Sequence, residues 1–195
     1  IHNQFNIMEI VGKKLIKAPL EKVWENLNNL NVLQKSIPGC ESLSELQENV
    51  FKADITAKIG PLKAKFSGKL ELLNIKKFES YDIKFEAKSP VAGFSKGTAS
   101  VVLKNLNDNE TELSYSSTFS IGGKLAQIGS RLVDGVAKKL TNDFFEAFIK
   151  NHQLDQESSF KDNARKEEKK SANNKSYYIV IVTLIMLLFF YLGSS

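Results

Sequence analysis

From Glu41 to Ile121 the chain repeats with a period of two. Ile55, Ala57 and Ile59 alternate with Asp54, Thr56 and Lys58; Leu62, Ala64, Phe66, Gly68, Leu70 and Leu72 alternate with Lys63, Lys65, Ser67, Lys69 and Glu71. The same phase runs through Tyr81, Ile83, Phe85 and Ala87, then Ala99, Val101 and Leu103, then Leu113, Tyr115, Ser117, Phe119 and Ile121. Successive side chains of a strand point to opposite faces, so this pattern predicts half-buried antiparallel strands that share one apolar face. Turn residues fall between the runs at Glu48-Asn49, Gly60-Pro61, near Ser89-Pro90, and at Asn107-Asp108-Asn109. A sheet with one apolar face needs a cover.

The cover follows Gly122-Gly123. Leu125, Ile128, Leu132, Val136, Leu140, Phe144 and Phe148 recur every three or four residues and predict a long helix from Lys124 to Lys150. Gly129 and Gly135 interrupt its stripe, which suggests close backbone approach or volume left open beneath it. Ahead of the sheet, Glu9 to Lys17 reads as a first strand. Pro19 then opens a helix carrying Leu20, Val23, Trp24 and Leu27, and a second short helix spans Asn31 to Lys35 before the Pro38-Gly39 turn. The expected fold class is therefore α+β. A curved antiparallel sheet around a long C-terminal helix, with two short helices after strand 1, is the order of the helix-grip fold.

Several functions lack the residues they need. Lys and Arg number 27 against 22 Asp and Glu, a net charge of +5, but lysine and glutamate interleave along the strands without an Arg-rich cluster. Nucleic-acid binding is not expected; mild attraction to an anionic membrane surface fits better, and a plainly solvated lysine face fits better still. The two histidines, His2 and His152, flank the domain, and Cys40 is the sole cysteine. No His-based catalytic triad, no metal site and no tightly bound cofactor is expected from that inventory. Cys40 reads as a small buried or semi-buried hydrophobe rather than a nucleophile. Asp54, Asp82 and Glu86 all occupy the polar phase of their strands, so no acid–base pair faces the apolar side.

The chain carries a second hydrophobic element of a different kind. Tyr177 to Leu192 holds no charge and has tyrosines at both ends, as a membrane anchor requires. Between Arg165 and Ser176, five basic residues (Arg165, Lys166, Lys169, Lys170, Lys175) stand against Glu167 and Glu168, which places the N-terminal part in the cytoplasm by the positive-inside tendency. The expected division is a leader over 1–7 with no assigned role and Met8 as the natural beginning, a domain over 8–151, a polar linker over 152–176, and an anchor over 177–192. Residues 1–20 offer no uninterrupted apolar run of the signal-peptide type, so insertion is expected from the tail at the cytoplasmic membrane.

Four linked segments sharpen the reading. These are Ala18-Pro19 with Val23-Trp24; Val32-Leu33 with Ile37-Pro38-Gly39-Cys40-Glu41-Ser42-Leu43; Ile59-Gly60-Pro61-Leu62-Lys63-Ala64-Lys65-Phe66-Ser67-Gly68; and Gly122-Gly123-Lys124-Leu125-Ala126-Gln127-Ile128-Gly129-Ser130-Arg131-Leu132. Their order resembles the CoxG family of carbon monoxide dehydrogenase subunits, within the START-like and Bet v 1-like superfamily of cavity proteins. One departure is Asn28-Asn29-Leu30-Asn31, where the family tends to have an Asp before the second helix.

The resemblance implies a non-catalytic accessory protein that attaches a cytoplasmic molybdenum-containing hydroxylase to the membrane. It leaves that enzyme's substrate open, carbon monoxide being one possibility among several small molecules. A helix-grip cavity lined by Phe85, Val101, Tyr115, Phe119, Leu132, Gly135 and Val136 would shield a quinone or lipid, with Gly60, Pro61 and Phe94 at its mouth. For each of these residues taken singly, ordinary core packing or turn geometry is the simpler account. Two alternatives stay open: a general lipid-binding module, and a cyclase-like enzyme, since cyclases share the superfamily.

Overall fold

The computed structural model describes residues 6–59, 62–128 and 139–151. The chain opens with strand β1 (Asn6–Ile16), two short helices α1 (Leu20–Leu27) and α2 (Leu30–Ser36), and strands β2 (Cys40–Gln47), β3 (Val50–Ile59) and β4 (Leu62–Lys76). Strands β5 (Ser80–Ser89), β6 (Gly93–Asn107) and β7 (Glu110–Gly122) follow, then α3 (Lys124–Ile128) and a helical segment over 139–151. All pairings are antiparallel, in the order β1-β7-β6-β5-β4-β3-β2, so β1 and β2 are the edges of one seven-stranded sheet. This is the expected α+β arrangement.

The period of two decides which face is buried. Phe51, Ile55, Phe66, Leu70, Ile83, Phe85, Val101, Leu113 and Phe119 form one buried cluster with Trp24, Leu27, Leu33, Phe144 and Phe148 from the helices. Helix α1 begins behind Pro19, whose extended backbone (ψ 148°) leads into the first turn, and Glu21 sits where the helix dipole favours an anion. Thr111, fully buried on β7, donates its hydroxyl to the Ala18 carbonyl at 2.9 Å and pins the entrance to α1. Helix α2 is capped by Asn29, whose side-chain oxygen accepts from the Asn31 and Val32 amides. Its last turn meets the C-terminal helix where Asn151 donates to Ser36 Oγ at 3.0 Å.

Two boundaries differ from the sequence reading. Strand β1 starts at Asn6, and Ile7 pairs with Ser120, so the end of the expected leader is part of the sheet. Strands β4 and β5 are joined by a turn in which Phe78 takes a φ of 65°, a conformation usually left to glycine or asparagine. No Gly or Pro marks it, which is why the sequence conceals it. The opposite case is the junction of β5–β6 with α3. There Gly93 (φ 116°) and Gly123 (φ 79°) pack backbone to backbone, and a Cβ on Gly123 would lie 2.7 Å from Gly93 Cα.

The segment 129–138, containing Gly129, Leu132, Gly135 and Val136, lies outside the described residues, as do Gly60, Pro61, the linker and the proposed anchor. Among the described residues, no helix is long and apolar enough to cross a membrane.

Candidate ligand site on the inner face of the sheet

Register converts the inward phase of each strand into rows that cross the sheet. One row is made almost entirely of small residues: Ala53 on β3 is opposite Gly68 on β4, Gly68 opposite Ala87 on β5, and Ala87 opposite Ser95 on β6. Leu43 of β2 closes one end and Ile121 of β7 the other. A Cβ added at Gly68 would meet only ordinary contacts, the nearest being Ala87 Cβ at 3.7 Å. The backbone therefore does not demand glycine there. A methyl group there would pack against its neighbours at ordinary distances.

The row is apolar with one exception. Ser95 is 2% exposed, and its Oγ has no hydrogen-bond partner. A buried hydroxyl left without a partner costs about 1–3 kcal/mol, and a ligand oxygen over the row would relieve that cost.

Of the residues singled out in the sequence, four are described and lie on the inner side. Phe85 and Phe119 stand on either side of Gly97, where a Cβ would approach the Thr118 carbonyl oxygen to 2.4 Å; the two strands converge too closely for a side chain. Val101 is directly opposite Tyr115. Phe85, Val101 and Phe119 are buried in the cluster, whereas Tyr115 is half-buried near the β1 edge. Phe94 lies with its ring over Gly122, beside the start of α3. Leu132, Gly135, Val136, Gly60 and Pro61 lie outside the described residues.

Tyr115 is held by three contacts. Its ring crosses to β1, where it fills the space that a side chain at Gly12 would take, and it packs against Phe145 at 5.8 Å between ring centroids. Its hydroxyl bonds to Thr141 on the C-terminal helix. Burial raises the phenol above its ordinary pKa, with the Thr141 bond opposing, so Tyr115 is a neutral hydrogen-bonding group at physiological pH.

The small-residue row was half visible in the sequence. Gly68 and Ala87 fall in the inward phase, and continuing that phase back from Ala99 through Gly97 reaches Ser95. That the four residues align in one row follows only from strand register, which alternation does not fix.

The outer face is different in kind. A groove of about 520 Å³ crosses β4 to β7 there, lined by Lys69, Glu71, Lys84, Glu86, Lys96 and Thr98 among others. Lys69 is opposite Glu86, Glu86 opposite Lys96, and Glu71 opposite Lys84. These are cross-strand charge pairs that stabilise the sheet in water, while Ile7, Phe85, Gly97 and Phe119 give the same groove apolar lining. Asp82 accepts from Ser100 and Asn74 on this face, and these bonds hold its carboxyl below the usual range. Asp54, held low chiefly by Ser67, and Glu86, held low by Lys88, are engaged on the same face.

Among the described residues no three His, Cys, Asp or Glu side chains gather closely enough to share a metal ion. Burial pushes the Cys40 thiol up to about 11, opposed by a hydrogen bond with the Ser42 backbone and reinforced by Asp54 and Glu41. A thiol so protonated is a poor nucleophile.

Comparison with known proteins agrees with this picture. The chain is 33% identical to a conserved protein from Geobacillus kaustophilus of known structure, with a TM-score of 0.72 over 75% of this chain and 96% of that one. It is also similar to the Zhui aromatase/cyclase from Streptomyces sp. R1128 (13% identity, TM-score 0.56, 76% of this chain and 96% of that one). Norcoclaurine synthase from Thalictrum flavum is a further neighbour (10% identity, TM-score 0.51, 80% and 99%). At those two identities the likeness is one of fold. No curated protein sequence matches the chain. A sheet whose inner face is apolar and whose carboxylates turn outward fits an accessory role, and the family model of the CoxG component of carbon monoxide dehydrogenase matches residues 12–152. The chain belongs to the CoxG family of carbon monoxide dehydrogenase subunits.

Proposed function

We propose that this protein is a membrane-anchored accessory protein that brings a cytoplasmic molybdenum hydroxylase of the carbon monoxide dehydrogenase type to the membrane and holds a quinone or lipid over the inner face of its sheet. The family and the Bet v 1-like fold carry the coarser part, an accessory protein built on a ligand-binding fold. The observation that supports a ligand is the row Ala53, Gly68, Ala87 and Ser95, which offers a floor without bulky side chains and one unpartnered hydroxyl for a carbonyl oxygen. A hydroxylase that oxidises its substrate in the cytoplasm must pass electrons to an acceptor dissolved in lipid. An apolar interior tethered at the bilayer would shorten that path. The domain over 8–151, the linker over 152–176 and the anchor over 177–192 give this reading its geometry.

The cyclase alternative gains nothing from the described residues, because Asp54, Asp82 and Glu86 are all committed on the outer face. A general lipid-binding role differs from the first reading only in its partner.

Organic extraction of the purified protein followed by mass spectrometry identifies what it carries. Replacing Gly68 by alanine is expected to leave the ligand in place and to raise stability by about 0.5–1 kcal/mol, since the backbone accepts a Cβ. Gly68→Leu is expected to abolish ligand recovery while the far-ultraviolet circular dichroism stays unchanged. A leucine variant that still carries the same ligand would remove the row from the site. One that unfolds while the alanine variant is stable would mark the interior as solid there.

A further inference from the structure

Among the described residues the inward phase carries a charge at each edge of the sheet, Glu45 of β2 opposite Phe51 and Lys14 of β1, and Lys14 stands away from the small-residue row. Lys14 belongs to the inward phase of β1, with Met8, Ile10, Gly12 and Ile16. Its Nζ donates to the Asn142 side-chain oxygen at 2.7 Å and lies 5.6 Å from the centre of the Phe145 ring, so both of these partners are neutral. Two neighbouring carboxylates, on β7 and on the 139–151 helix, are engaged elsewhere. Glu112 takes Lys13 at 3.0 Å on the outer face, and Asp143 takes Lys139 at 2.7 Å. The ammonium of this half-buried lysine, at an apolar seam, thus has no ion-pair partner among the described residues.

The seam itself is only partly closed. Val101, Phe119 and Leu113 are sealed, whereas Met8, Ile10, Tyr115 and Leu140 are only partly buried against the core. Strand β1 is a sheet edge, and what faces it on the inner side is the 139–151 helix through Thr141, Asn142 and Phe145. Lys14 therefore stands at the rim, with apolar surface running inward beside it.

We propose that the seam between β1 and the 139–151 helix is a port for amphiphiles bearing a singly negative head, with the Lys14 ammonium taking the head group and the tail passing Met8 and Ile10 toward the interior. The head displaces the Asn142 amide oxygen, exchanging a neutral acceptor for an ionised one, which forms the stronger bond. The Phe145 ring face holds the cation in position meanwhile. This rests on the reading that the interior accepts an apolar ligand.

Photo-crosslinking separates the port from the interior site. The full chain in dilute non-ionic detergent is irradiated with a diazirine-bearing octadecanoic acid or with its methyl ester, and labelled peptides are mapped by mass spectrometry. The acid is expected to label peptides from β1 and the 139–151 helix. Lys14→Met is expected to lower that labelling roughly tenfold, the scale of one charge-assisted bond, while Lys14→Arg retains it and the ester labels all three proteins alike. Competition by oleate alone would identify free acids as the source of the head group, and competition by phosphatidylglycerol as well would identify the bilayer. Equal labelling of the wild type and the methionine variant by the acid would overturn the port while leaving the interior site standing. Absence of labelling by both probes would overturn both.

Discussion

Trp24→Ala is expected to cost the domain about 3–5 kcal/mol, the range for deleting a buried aromatic side chain without refilling its space. Trp24 is 2% exposed on the inner side of α1, with its ring 5.5 Å from that of Phe78 and 6.2 Å from that of Tyr81. These neighbours come from the β4–β5 turn and the start of β5, so one side chain ties the inserted helices to the far side of the sheet. Small domains have total stabilities of roughly 5–15 kcal/mol, so the variant should be marginal at physiological temperature. Trp24→Phe keeps part of the contact and should lose less. Urea unfolding followed by circular dichroism is the suitable measurement, because Trp24 is the only tryptophan and its removal also removes the fluorescent probe. A loss below about 1 kcal/mol would mean that the site collapses around the gap and that α1 is not anchored through this ring.

The sheet was legible because alternation is a strong signal when one face is dry. Every strand from β3 to β7 follows the phase read from its side chains, down to the outward placement of Asp54, Asp82 and Glu86. Helix α1 was legible from Pro19 and the spacing of Val23, Trp24 and Leu27. The Phe78 turn was not, because its positive φ is imposed by tertiary packing on a residue whose own preference lies elsewhere. The interior row was hidden for another reason. Ala53, Gly68, Ala87 and Ser95 are each unremarkable in their strands and become a feature only when four registers bring them into line. Lys14 escaped notice because a lysine in a Lys-Lys pair reads as a solvated edge, and its inward phase is set by pairing with Leu113.

Deleting 177–192 is expected to release the protein from the membrane without harming the domain. The segment holds sixteen uncharged residues that would span about 24 Å as a helix against a hydrocarbon core of roughly 30 Å, enough to hold if the bilayer thins or flanking residues reach the interface. Its removal leaves two sources of membrane affinity, the basic linker and the domain surface, and salt distinguishes them from an inserted anchor. At 1 M salt the screening length falls to about 3 Å, so electrostatic attachment disappears while hydrophobic insertion persists. The full chain should therefore stay in the membrane pellet at 1 M salt. A chain ending at Ser176, which keeps Arg165, Lys166, Lys169, Lys170 and Lys175, should bind anionic vesicles weakly and leave them at high salt. A chain ending at Asn151 should remain in the supernatant throughout, with the circular dichroism of a folded α+β domain, because it keeps every buried core side chain of the described residues through Phe148, and Asn151 closes the helix onto Ser36. If the chain ending at Ser176 resists 1 M salt, the membrane is held by the apolar surface of the domain itself, and the exposed Ile7, Val11 and Leu15 of β1 become the first residues to replace.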